Sequence, residues 1–158
     1  MGPIQLDDVD RGILHALQRD ARNSTAAEMG ETVGVSASTV RNRIQRLEEA
    51  GVIKGYNPDI DYEQANYQLH VIIVCRAPPS ERSELADRVM GVPGVVTVRE
   101  LLTGTENLHV EAVAADSDTA DSITERVHEL GMDIVSTDIV KTEHVRPFDH
   151  FGEEVTDE

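Results

Sequence analysis

Apolar positions recur at helical spacing through the first third of the chain, and beyond it short apolar runs alternate with helical stretches. Leu6, Val9, Ile13, Leu14 and Leu17 share one side of a helix predicted over 6–20, with Asp7, Asp8 and Asp10 near its positive N-terminal end. A polar break at 20–23 separates it from a short second helix over 25–33, where Thr25 and Glu28 have capping-box spacing. Gly34 closes that helix, Val35 turns toward the core, and Ser36 is the N-cap of a third. The third helix has Val40, Ile44 and Leu47 on one face, extended by Ala50, and everything between them is polar. Gly51 stands where a helix end favours a left-handed residue, and β-branched Val52 and Ile53 predict that the helix runs into a strand. Three helices joined by the tight turn Gly34-Val35-Ser36 make a helix-turn-helix, winged or plain, whose third helix faces outward.

After the turn Lys54-Gly55-Tyr56-Asn57-Pro58, the stretch 59–68 reads as a polar linker with room for one short strand. Strands are predicted at 69–76, 95–102, 108–115 and 135–144, with helices at 80–90 and 118–130. Residues 103–107 form a turn around Gly104. The order βαββαβ is a split βαβ sheet with both helices on one face, so the fold class is α+β. The predicted domains are a helix-turn-helix over 1–56, a linker over 57–68, a ferredoxin-like effector and oligomerisation domain over 69–146, and an acidic, poorly ordered tail over 147–158.

Charge sharpens this division. The chain has a formal net charge of −16, yet residues 37–47 contain three arginines and no acid. Residues 1–60 carry nine acids against seven bases, whereas 61–158 carry 21 acids against seven bases. Only Lys54 and Lys141 stand beside twelve arginines. An acid-rich, lysine-poor surface suits a cytoplasm at molar salt, where the Debye length shrinks to about 3 Å and self-repulsion fades. The alternative is a solubility device in an ordinary cytoplasm. With no apolar run of about 18 residues and no charged-then-apolar leader, neither a membrane span nor a signal peptide is expected, and a soluble cytoplasmic protein is. The lone Cys75 excludes an internal disulfide and reads as a small buried hydrophobe.

The outward face of the third helix carries Ser38, Thr39, Arg41, Asn42 and Gln45, with Ser36 at its start and Arg43 and Arg46 at its edges. Arginine pairs bidentately with guanine, asparagine with adenine, and both hydroxyls and guanidinium groups reach phosphates. Ser36, Ser38, Thr39, Arg41, Asn42, Gln45 and Arg46 are therefore the candidate contacts to double-stranded DNA, with Arg46 nearest the backbone. The six histidines lack the His-x-x-x-His spacing of a metal site, although His70 and His109 have the positions to meet across paired strands. No nucleophile-base-acid set, phosphate-cradling glycine loop or nucleotide fingerprint is present, so neither an enzyme nor a cofactor is expected.

The segments LD-x-x-D-x-x-IL (6–14), DAR-x-S (20–24), G-V-S-x-S-T-V-x-x-R-I-x-x-L-E-x-x-G-V-I-x-G-Y (34–56) and TG-x-x-N-L from Thr103 resemble those of the Lrp/AsnC (leucine-responsive regulatory protein/asparagine regulator) family of transcription regulators. The resemblance spans about 140 residues and is most specific in the first domain. It implies a homodimer formed through the C-terminal sheet, further assembly, and a small effector, usually an amino acid, held between dimers. It also places effector-binding residues at Thr103, Gly104, Thr105, Glu106 and Asn107, together with Ser136 and Thr137 at the start of the last strand. There Gly104 lets a ligand approach the backbone, turn N–H groups suit a carboxylate, and Glu106 suits an ammonium group. The chain departs from the family pattern in having Gly30 where alanine is usual on the second helix, and Glu106 and Asn107 where an aromatic residue and an aspartate are common. Gly30 costs about 1 kcal/mol of helix propensity while permitting a closer helix crossing. The function expected is sequence-specific transcription regulation responsive to a small effector. The alternatives are an architectural DNA binder without an effector, a metal-responsive regulator, and a small-molecule module that has lost DNA binding.

Overall fold

The computed structural model describes residues 2–151, which divide into two compact units. One holds the chain up to Pro58 together with the segment from His144 on, and the other is Asp59–Glu143.

In the first unit, α1 (Asp8–Asp20), α2 (Ala26–Val33) and α3 (Ala37–Glu49) form the expected helix-turn-helix. Asp7 and Thr25 cap α1 and α2 through full capping boxes, and Ser36 caps α3. Ile13, Met29 and Val40 are buried together, with Val9, Leu17, Val35 and Ile44 packed around them. Gly30 explains how tight the turn is. A Cβ there would lie 2.5 Å from the Val35 carbonyl oxygen, and the Gly30 carbonyl itself accepts both the Gly34 and Val35 N–H groups. The close approach is thus to the turn backbone.

The strand expected after α3 does not form. Gly51 takes a left-handed φ of 73°, and the Val52 and Ile53 N–H groups both donate to the Leu47 carbonyl at 2.9 and 3.1 Å. Donors that close a helix end are not available to a ladder, and no strand belongs to this unit among the described residues, so the helix-turn-helix is plain. Residues 147–151 are also more structured than their acidity suggested. Asp149–Phe151 is a 3₁₀ turn, Phe148 and Phe151 meet edge to face at 5.0 Å, and Arg146 pairs with Asp149 at 3.1 Å. Two aromatic rings supply local apolar contact that the charge count ignored. The remainder of the expected tail, 152–158, lies outside the described residues.

The second unit is a four-stranded antiparallel sheet in the order β2-β3-β1-β4, built from β1 (Leu69–Arg76), β2 (Val95–Glu100), β3 (Leu108–Ala114) and β4 (Asp133–Ile139). Helices α4 (Arg82–Met90) and α5 (Ser117–Glu129) cover the face that presents Val71, Ile73, Cys75, Leu108, Val110 and Ala112. This is the expected α+β sheet with both helices on one side. Alternation puts Ile72, Val74, His109, Glu111 and Val113 on the opposite face. The Cys75 thiol is buried within the core, and that burial pushes its pKa up to about 11.

Three features of this unit differ in kind from the sequence reading. The stretch 59–68 forms a hydrogen-bonded turn (Tyr67 N–H to the Tyr62 carbonyl, 2.8 Å) rather than a strand. The last strand begins at Asp133 and ends at Ile139, because its partner β1 runs out at Leu69 and only Val140 N–H still reaches the His70 carbonyl. His70 and His109 do not meet: they stand opposite Val113 and Val74, four register steps apart, or roughly 13 Å along the strands. His70 instead approaches Glu111 at 3.4 Å.

Candidate nucleic-acid interface and effector turn

Ser38, Arg41, Asn42 and Gln45 are exposed and spaced by three and four residues, so they form one continuous stripe on α3. Arg41 and Asn42 have no hydrogen-bonding partner among the described residues, whereas the Gln45 amide donates to Glu49 at 2.8 Å. The other two candidates at the helix start serve the stripe indirectly. The Ser36 hydroxyl accepts the Thr39 N–H at 3.2 Å and shares hydrogen bonds with the Ser38 and Thr39 hydroxyls at 3.2 and 2.9 Å. This fixes the first turn, whose free N–H groups and positive dipole end suit a phosphate.

Arg46 is placed differently. Its guanidinium reaches across to α1 and donates to Asp10 at 2.7 Å. Arg43 also donates to Asp10, at 3.2 Å, and to Asp7 at 2.6 Å. Asp10 is fully buried, and its Oδ2 additionally accepts the Asp7 N–H at 3.2 Å. Asp7 in turn accepts the Asp10 N–H, and that bond, reinforced by Arg43, holds its carboxyl down to about pKa 2. Sequence reasoning saw Asp7 and Asp10 as helix-dipole partners and missed this clamp. The signal was there in an acid pair and an arginine pair each spaced by three residues, but no local rule joins residues 36 apart.

The turn between β2 and β3 has a rigid base and an open tip. Leu101 N–H donates to the Asn107 carbonyl at 2.9 Å, and Arg82 of α4 donates to the Leu101 carbonyl at 2.8 Å. Asn107 is 4% exposed, with its amide oxygen accepting the Ala77 N–H and its NH2 donating to the Ala77 carbonyl, both at 2.9 Å. A buried amide must satisfy both ends, so Asn107 frames the turn and does not face outward with Thr103, Gly104, Thr105 and Glu106, which are exposed. Gly104 has φ 90° and open space where a Cβ would stand. Ser136 and Thr137 lie in the middle of β4, opposite Val74 and Ile73, rather than at its start. Since β3 and β1 separate β2 from β4, one chain does not bring these two residues to the turn.

On the sheet face away from the helices, Glu111 pairs with Arg99 and approaches His70. Burial pushes its carboxyl pKa upward, but the Arg99 and His70 contacts outweigh that and leave it below the usual carboxylate range. Among the described residues no group of three or more histidine, cysteine or acidic side chains is placed to hold a metal ion. No helix there is long and apolar enough to cross a membrane.

Residues 6–48 match the model of the AsnC-type helix-turn-helix domain. The chain is 36% identical over 143 residues to the transcriptional regulator AldR of Mycolicibacterium smegmatis, covering 78% of this chain and 82% of that one. The crystal structure of AldR from Mycobacterium tuberculosis is similar over 90% of this chain and 99% of that one, with a TM-score of 0.73 at 27% identity. A feast or famine regulatory protein from M. tuberculosis, complexed with L-methionine, has the same fold, with a TM-score of 0.79 at 23% identity over 90% of this chain and 96% of that one.

Proposed function

We propose that this chain, which belongs to the Lrp/AsnC family of transcription regulators, reads its operator through the exposed stripe of α3 and adjusts that binding, or its own assembly, when an amino acid occupies the tip of the β2–β3 turn. The observation that carries the first half is the pair Arg41 and Asn42, exposed and unpartnered on the same side of a helix whose other side is buried. Their side chains match the bidentate edges of guanine and adenine, each worth about 1–3 kcal/mol of discrimination. Two subunits supply two such helices, and the sheet face away from the helices, where Ile72, Val74 and Val113 surround Glu111, is the surface through which they pair.

The effector half draws support from the turn itself. Its tip is exposed on a base held by Arg82 and Asn107, Gly104 leaves the backbone open, and Glu106 supplies a carboxylate for an ammonium group. Ser136 and Thr137 join the site only from another subunit, which suits a ligand held between dimers. The regulator of the same fold complexed with L-methionine is consistent with this ligand class. The test is footprinting on the chain's own promoter in molar KCl, with each of the twenty amino acids. Asn42→Ala is expected to lower the preference for that site over scrambled DNA at least tenfold; equal losses on both DNAs would show that α3 does not read bases.

A further inference from the structure

We infer that Asp10 sets the DNA selectivity of this regulator by withholding Arg43 and Arg46 from phosphates, so that Arg41 is the one arginine of each recognition helix left free to meet DNA, at guanine in the operator and at phosphate elsewhere. The inference rests on α3 being the DNA-facing helix, and adds to it the division of labour among that helix's cations.

Asp10 is fully buried, while the Arg43 and Arg46 side chains are 28% and 48% exposed. The three therefore form a pair of cations reaching inward to one carboxylate from the edge of the reading face. A buried carboxylate is costly without its partners, so the arginines are held by the penalty of leaving Asp10 uncompensated as well as by attraction. A phosphate at the protein surface competes from solvent, where salt screens it; the buried contact is screened much less. At the high ionic strength that the chain's acidity suits, the inward pairing wins. Each cation that does neutralise a phosphate contributes about −0.9 to the slope of log affinity against log salt. Removing two of three from that role makes binding to arbitrary DNA weak and shallow in salt, and leaves Ser38, Asn42 and Gln45 a larger share of the total.

Full-length protein titrated with promoter and scrambled duplexes across a KCl series tests this. Arg41→Gln is expected to reduce the salt slope by about 0.9 per subunit on scrambled DNA, where Arg41 meets phosphate, and to lower promoter affinity, where it pairs with guanine. Arg46→Gln should leave the slope unchanged while lowering the unfolding midpoint, and Arg46→Lys should restore that midpoint in part. Asp10→Asn frees Arg46 and leaves Arg43 held by Asp7 alone, so the slope steepens, scrambled DNA binds more tightly, and the promoter preference falls at least tenfold. If Asp10→Asn does not fold, as judged by circular dichroism, Arg46→Gln decides alone: an unchanged slope supports the assignment. A slope lowered in Arg46→Gln as much as in Arg41→Gln overturns it, because Arg46 then touches phosphate. Arg41→Gln and Asn42→Ala both without effect on either duplex is a separate result, which removes the DNA-reading role of α3 itself.

Discussion

Each unit of this protein buries a carboxylate beside an arginine, and the two carboxylates serve different ends. Asp10 joins α1 to α3 across 33 and 36 residues of chain, in a unit whose described residues bury only Ile13, Leu14, Met29, Val40 and Leu47 as apolar side chains. Glu111 is met by Arg99 and His70 from the strands on either side of it, over a core of sixteen buried residues. In the first case packing alone leaves the angle between two helices underdetermined and the charged contact completes it. In the second the ladder already sets the geometry, and the ion pair decorates it. The same chemistry carries more of the structure where the core is small than where it is large.

Removing each acid is the most direct way to break this comparison. Asp10→Ala leaves a buried void beside two cations, and breaking such a pair costs about 3–5 kcal/mol, at the lower end here because both arginines retain water. Glu111→Ala should cost about 1–2 kcal/mol. Urea unfolding of the two variants in molar KCl measures the difference, and equal losses would show that the small core does not depend on its clamp.

Gly30→Ala probes the same small core without charge. The added methyl group gains about 1 kcal/mol of helix propensity but collides with the Val35 carbonyl. The net expectation is a loss of about 1–2 kcal/mol with weakened promoter binding, since the displaced turn carries α3. A stabilised variant would mean that the turn yields freely.

A smaller effect is expected on the sheet side. Gly104→Val strains a left-handed position by about 1–2 kcal/mol in a turn whose surroundings are open. The fold and DNA binding should persist while calorimetric binding of the effector disappears; a retained titration would place the ligand elsewhere.

The smallest effect concerns acid. Asp7 and Glu111 both have folded-state pKa values below their unfolded ones. Their contributions are therefore complete above about pH 5, clear of both unfolded values, and fade as pH falls through the folded values. For Asp7 this runs down to about pH 2. Its side chain is half exposed, so salt screens the contribution and the loss is gradual. Carboxyl resonances followed from pH 5 to 2 should show Asp7 titrating last; a midpoint near 4 would mean that the capping box is open in solution.

Periodicity and capping made the helices and the order of strands legible before any coordinates, because both are local. The missing strand at Val52 and Ile53 shows the limit of that logic: β-branched side chains favour extended backbone, yet the decisive matter was where two N–H groups found an acceptor. Arg46 shows a second limit. Its place at the edge of a basic face was read correctly, but which anion it meets depends on a carboxylate in another helix. Likewise Asn107 fell within a loop motif, where nothing local reveals that both ends of its amide would be buried against Ala77.

That asparagine also bears on how such a regulator can change over generations. By satisfying the Ala77 N–H and carbonyl together, its side chain stands in for one residue of a neighbouring strand and anchors the turn from below. Thr103, Thr105 and Glu106 consequently carry no part of the fold's hydrogen-bonded frame among the described residues. If the proposed effector site is real, substitutions there alter which ligand is bound at little cost in stability, so the tip is free to diverge while Asn107 and Arg82 are not.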